Sequence, residues 1–149
     1  MKRRNLLKTL GMAVGGYSIS AKSNALPLAP KRALRIAHLT DIHVQPHLWA
    51  AKGFARCLQH LQDLDVKPDL ILNTGDSVMG SSGISKDKAA REWELYNKVL
   101  ASENSTPMVS CIGNHDIWCP PTESFPDGKK WAMDESKIAR SYSSFDKNG

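Results

Sequence analysis

Three short apolar runs recur along the chain, and each is closed by a polar segment. Ala33 to Leu39 alternates enough to predict a strand, which stops at Thr40-Asp41. Leu70 to Leu72 is introduced by Lys67-Pro68-Asp69 and ended by Asn73-Thr74-Gly75-Asp76, and Met108 to Ile112 is introduced by Pro107 and ended by Gly113-Asn114. Between the first two runs, Phe54, Cys57, Leu58, Leu61 and Leu64 recur at helical spacing and predict one face of an amphipathic helix. Between the second and third, Ala89, Trp93, Tyr96, Val99 and Leu100 fall on one side of a helix, with Lys88, Arg91, Glu92, Glu94 and Lys98 mostly on the other. The order strand–helix–strand–helix–strand predicts an α/β fold with a parallel sheet. Pro120 to Ser144 reads as a polar excursion with one helix near Lys129–Ala139, and Ser141 to Asp146 as the start of a further strand. The sequence contains no internal repeat.

In a parallel sheet, ligands bind beyond the carboxyl ends of the strands. Each apolar run here ends in a motif of that kind: Asp41-Ile42-His43, Gly75-Asp76 and Gly113-Asn114-His115-Asp116. Asp41 and Asp76 are 35 residues apart, and Asp76 and Asn114 are 38 apart, each close to one βαβ step. Neighbouring strands would therefore bring the three motifs together. Asp41 and His43, two apart, share one side of an extended segment, and both are donors suited to a divalent metal. The glycine of Gly75-Asp76 lets the backbone turn sharply and approach closely, while its carboxylate can bridge two cations. Gly113-Asn114-His115-Asp116 is the most specific of the three, because an amide, an imidazole and a carboxylate at one strand end answer no packing need.

Charge changes the picture mainly by its distribution. The formal net charge is +5, yet residues 1–35 hold eight Lys or Arg and no acidic residue, leaving 12 basic against 15 acidic residues beyond them, a net of −3. No basic stripe remains that would suit nucleic acid. Residues 1–25 read as an export signal: a charged start at Lys2-Arg3-Arg4, a mildly apolar stretch from Leu10 to Ala21, and small residues at Ser23-Asn24-Ala25. Arg3-Arg4-Asn5-Leu6-Leu7-Lys8 resembles the twin-arginine signal, which implies the twin-arginine export machinery as a partner and a periplasmic or exported bacterial protein. Residues 26–34 read as a linker. The apolar stretch is shorter than the roughly 20 residues a membrane-spanning helix needs.

Cys57, Cys111 and Cys119 form no Cys-x-x-Cys, and buried, inert thiols are expected, with a Cys111–Cys119 bridge as the lesser alternative in an exported protein. Trp93 is expected in the core. Trp49 and Trp118 follow motifs closely enough to wall a cleft, although packing is the simpler role for both. His38 within the first strand is expected to pack or to stand behind the metal-binding residues, His60 on a helix to be solvated, and His47 lies in a loop from which it could approach a substrate.

Together, Asp41-Ile42-His43, Gly75-Asp76 and Gly113-Asn114-His115-Asp116 resemble the first three motif blocks of the calcineurin-like metallophosphoesterases. The resemblance implies that residues 35–149 form the N-terminal part of a four-layer α-β-β-α sandwich. It implies hydrolysis of phosphate mono- or diesters by a dinuclear metal centre (two divalent ions, Mn, Fe or Zn) with a bridging hydroxide as nucleophile. It assigns Asp41, His43, Asp76 and Asn114 to the metals, makes His115 the catalytic acid and Asp116 the group that orients it. The family's later blocks, with three more histidine ligands and a Gly-His-x-His motif, do not occur in this sequence, and one sheet face would lack its partner. The alternative reading is therefore a truncated, non-catalytic fragment with partial metal binding. A nucleotide-binding module would need a glycine-rich loop after the first strand, and Thr40-Asp41-Ile42-His43 is not one.

Overall fold

The computed structural model describes residues 34–47, 49–80, 82–119, 127–140 and 144. The segment read as an export signal, most of that read as a linker, and residues 141–146, Ser144 apart, lie outside the described residues. Three strands, β1 (Ile36–Leu39), β2 (Leu70–Asn73) and β3 (Met108–Ser110), form one sheet in the order β1-β2-β3, and both pairings are parallel. Helices α1 (Ala50–Asp63) and α2 (Lys86–Glu103) connect them, and α3 (Gly128–Ser136) follows β3. This is the parallel α/β arrangement that the order of the apolar runs predicts.

The elements start and stop for local reasons. Ser85 caps α2, its hydroxyl accepting from the Lys88 N–H at 3.3 Å. Helix α3 ends in a left-handed Lys137, φ 59°, whose N–H reaches the Asp134 carbonyl while Ile138 reaches Met133, so the last carbonyls keep partners. The entry to β1 is tied to the loop before β2. There the Arg35 N–H donates to the Asp69 carboxylate at 2.7 Å, the Asp69 N–H returns to the Arg35 carbonyl at 2.8 Å, and the Arg35 guanidinium donates to the Val66 carbonyl.

The core gathers on one face of the sheet. The register sets Ile71 beside Ala37 and Met108, and these side chains pack with Phe54 and Leu58 of α1 and Trp93 and Tyr96 of α2. Phe54 stacks on Tyr96 at 5.2 Å, and Trp93 meets Tyr96 edge-on at 5.6 Å. Each such side chain contributes about 1.5–3 kcal/mol by leaving water. Trp93 lies in the core as predicted. On the other face Ile36 is 47% exposed and His38 is exposed, where its Nε2 meets the Thr74 hydroxyl at 2.9 Å. His38 is thus not packed in the interior. Among the described residues no helix is long and apolar enough to cross a membrane.

Two expectations about burial fail. Glu92 is only 2% exposed, because it stands at helical spacing within the stripe Ala89, Glu92, Trp93, Tyr96 and its carboxylate takes the Gly80 N–H at 3.2 Å. Cys57 and Cys111 are exposed thiols, not buried ones. Strand β3 ends at Ser110, one residue before Cys111, so that thiol does not enter the sheet's interior as a strand residue.

Candidate metal centre

The backbone at the carboxyl ends of β1 and β2 departs from strand geometry at the motif residues. Asp41, His43 and Asp76 adopt left-handed φ values of 53°, 51° and 53°, and Gly75 has φ 106°. Non-glycine side chains in this region are strained and persist only where the surroundings hold them. Here a ladder of interloop bonds does so: Asp41 N–H to the Gly75 carbonyl at 3.2 Å, His43 N–H to Asp76 at 3.0 Å and Val44 N–H to Ser77 at 2.9 Å. Parallel pairing resumes at Val44 and Val78, both fully buried. Pairing thus continues through the kinks, which re-aim the side chains between β1 and its continuation.

Asn73, the last residue of β2, organises the turn and was not singled out by the sequence. Fully buried, it donates from Nδ2 to the hydroxyls of Ser77 at 2.9 Å and Tyr96 at 3.2 Å, and its Oδ1 takes the Gly75 N–H at 3.2 Å. A polar residue closing an apolar run and preceding Gly-Asp was the available signal. Gly113 matters for space. A Cβ there would overlap the backbone nitrogen and Oδ1 of Asp76, and a Cβ on Gly75 would overlap Gly113 in turn. Only two glycines allow these loops to touch.

The close approach brings donor atoms together. His43, Asp76 and His115 each present one metal-ligating atom, all within 4.8 Å of one another. The His43 and His115 rings meet edge-on at 4.6 Å, and Asp76 Oδ1 takes the His115 N–H at 2.9 Å. Asp41 stands beside them, Oδ1 at 3.7 Å from His43 Nε2, with its other oxygen taking the Thr40 hydroxyl at 2.7 Å. Asn114 is exposed and lines a cavity next to His115. This donor set fits a divalent cation. His43 Nδ1 is buried without a hydrogen-bond partner, a penalty that a bound ion would remove, and imidazole, carboxylate and amide together suit Mn, Fe or Zn.

His115 and Asp116 are each held by backbone groups. His115 Nδ1 lies 2.5 Å from the Met79 carbonyl oxygen. A carbonyl only accepts, so Nδ1 carries the proton and Nε2 is left for chemistry. The hydrogen bonds of the Asp116 carboxylate go to backbone N–H groups. Its Oδ1 takes the N–H groups of Ser77 at 2.8 Å and Val78 at 3.3 Å, and its Oδ2 takes that of Gly113 at 2.8 Å. The carboxylate, fully buried, clasps the second and third loops together. Burial pushes its carboxyl up; the three backbone donors pull it down, and the Asp76 charge raises it further.

A cavity of about 440 Å³ opens beside the donor cluster, lined by His115, Asn114, Gln45, Lys88 and Glu92 among others. Burial raises the Glu92 carboxyl above the ordinary range, opposed by the Gly80 N–H and the Lys88 charge. Neither tryptophan lines it. Trp49 is 74% exposed under the Lys52 ammonium at 4.2 Å, and Trp118 donates to the Ile84 carbonyl at 3.0 Å. His47 borders a separate hollow with Trp49 and Lys52, and His60 is exposed on α1.

A parallel α/β sheet whose three strand ends converge on imidazole and carboxylate donors defines a candidate metal centre. The calcineurin-like phosphoesterase family matches residues 34–148, and the chain belongs to that family. No curated protein matches the sequence.

Proposed function

We propose that this protein hydrolyses phosphate mono- or diesters with two divalent cations, held by Asp41, His43, Asp76 and Asn114, and with His115 as proton donor to the leaving group. The observation that carries the reading is the convergence of His43, Asp76 and His115 within 4.8 Å, with His43 Nδ1 buried and unpartnered. When bound, such cations place positive charge opposite the phosphoryl oxygens and make a nearby water more acidic. Asp76, between the first and third loops, suits a bridging role. The Met79 carbonyl fixes the His115 ring through Nδ1, so Nε2 is the atom that exchanges a proton. Asp116 contributes by holding loops and not by touching the reacting atoms.

The full chain with Mn²⁺ should release p-nitrophenol from p-nitrophenyl phosphate or its bis-ester, and Asp76→Ala or Asn114→Ala should abolish the metal-dependent rate. Turnover unaffected by both substitutions at saturating Mn²⁺ refutes the assignment. Stoichiometric metal binding with no turnover supports the non-catalytic alternative. One observation also favours a second role for His115, because its donor atom lies as close to those of His43 and Asp76 as a ligand would. Metal analysis separates the two: His115→Gln keeps its metal and slows turnover by about 100-fold or more if the residue is a proton donor, and loses metal if it is a ligand. The reading includes twin-arginine export, supported by Arg3-Arg4-Asn5-Leu6-Leu7-Lys8. Exchange of Arg3 and Arg4 for lysine should then strand the protein in the cytoplasm.

A further inference from the structure

We infer that the cavity beside His115 receives the leaving group of the substrate, and that Glu92 and Lys88 select a hydroxyl-bearing, sugar-like one. The inference rests on the phosphoester reading above. Asn114 and His115 belong both to the proposed metal and proton-transfer site and to the cavity wall, so an ester whose phosphoryl group sits on the donors extends its other half into this space. The volume, about 440 Å³, accommodates a group of sugar or nucleoside size.

Six of the nine described lining residues carry polar or charged side chains, more than a site shaped for an aryl or acyl group alone would need. Met79 and Ile84 are its only large apolar side chains among the described lining residues, and no aromatic carbocycle faces it. Glu92 is the informative member. It occupies a position in the apolar stripe of α2 that packing alone would fill with leucine, and it is almost wholly buried. Its carboxylate takes the Gly80 N–H and also feels that of Met79, out of about four acceptor positions in all. The remainder suit hydroxyl donors entering from the cavity. Lys88, one helical turn earlier on the same face, supplies three N–H donors and a charge that favours the ionised Glu92. Gln45 completes the set from the first loop. A site built of paired polar groups rejects a ligand lacking the matching hydroxyls, because the buried groups are then left unpaired.

Calorimetric titration of the full chain in Mn²⁺ buffer with ribose 5-phosphate and with phenyl phosphate tests this, since the two probes share the phosphate and differ only in the leaving group. Ribose 5-phosphate should bind about tenfold more tightly, the scale of one hydrogen bond to a charged group. Glu92→Gln keeps the shape and an acceptor for Gly80, and Lys88→Ala alters an exposed residue; each should bring the ratio of the two affinities towards one, and thermal melting near that of the parent establishes that the variants fold. Equal affinities in the parent chain, a ratio unmoved by both substitutions, or binding of neither ester overturns the inference. Preference retained without hydrolysis would sink the hydrolase reading and leave the pocket standing, whereas hydrolysis of both esters without preference would do the reverse.

Discussion

Asp116→Ala should destabilise the fold far more than a substitution at a purely catalytic residue would. The carboxylate is fully buried and is the acceptor for three backbone N–H groups, those of Ser77, Val78 and Gly113. Alanine leaves all three buried donors without it. An orphaned buried donor costs about 1–3 kcal/mol, and water entering the vacated space recovers part of that. A loss of about 3–5 kcal/mol follows, a large fraction of the roughly 5–15 kcal/mol available to a domain. In Asp116→Asn the amide oxygen can still accept from Ser77 and Val78, but the NH₂ group is turned towards the Gly113 N–H. The loss there should be nearer 1–3 kcal/mol, on the scale of one orphaned donor. Urea unfolding should therefore rank the parent above the asparagine variant, and that variant above the alanine one, with midpoints shifting at unchanged slope. An alanine variant within about 0.5 kcal/mol of the parent, the range of an ordinary surface substitution, would refute the clasp.

Gly113→Ala drives a Cβ into the backbone nitrogen and carboxylate of Asp76. Stability should fall by about 1–3 kcal/mol and Mn²⁺ affinity at least tenfold; a calorimetric titration matching the parent within a factor of two would contradict the close approach. Burial pushes the Tyr96 hydroxyl up to about 12 from 10.0, partly offset by hydrogen bonds with Ser77 and Asn73. Because the unfolded phenol ionises first, the fold keeps its full stability below about pH 10 and loses on the order of 2–3 kcal/mol as the pH rises towards 12. Tyr96→Phe should lack that component of the alkaline slope, and identical slopes in urea melts of the two proteins at pH 9 and 11.5 would disprove it.

The order of elements was legible because each strand and helix announced itself by its own period. Parallel adjacency was legible too, since Asp41, Asp76 and Asn114 recur at the spacing of one crossover. Glu92 was assigned to the polar side by residue type, although its offset of three from Ala89 and four from Tyr96 places it in the buried stripe. Spacing outranked chemistry there. The role of Asp116 was not legible, because nothing local distinguishes a carboxylate that accepts from an imidazole from one that accepts from backbone 39 residues away at Ser77. For the same reason the carbonyl that holds His115 could not be read from the sequence: a backbone oxygen at Met79 has no residue signature.

The left-handed backbone at Asp41, His43 and Asp76 bears on how this sequence would drift under selection. At each position glycine would relieve about 1–2 kcal/mol of steric penalty. A library selected for heat tolerance alone, with no metal in the medium, should therefore accumulate glycine at three sites whose side chains are all proposed metal donors. Selection for a metal-dependent trait would hold Asp and His there against that drift. The positions at which the two regimes part company would mark the centre without any structure at all, and would measure how much folding stability the sequence gives up to keep it.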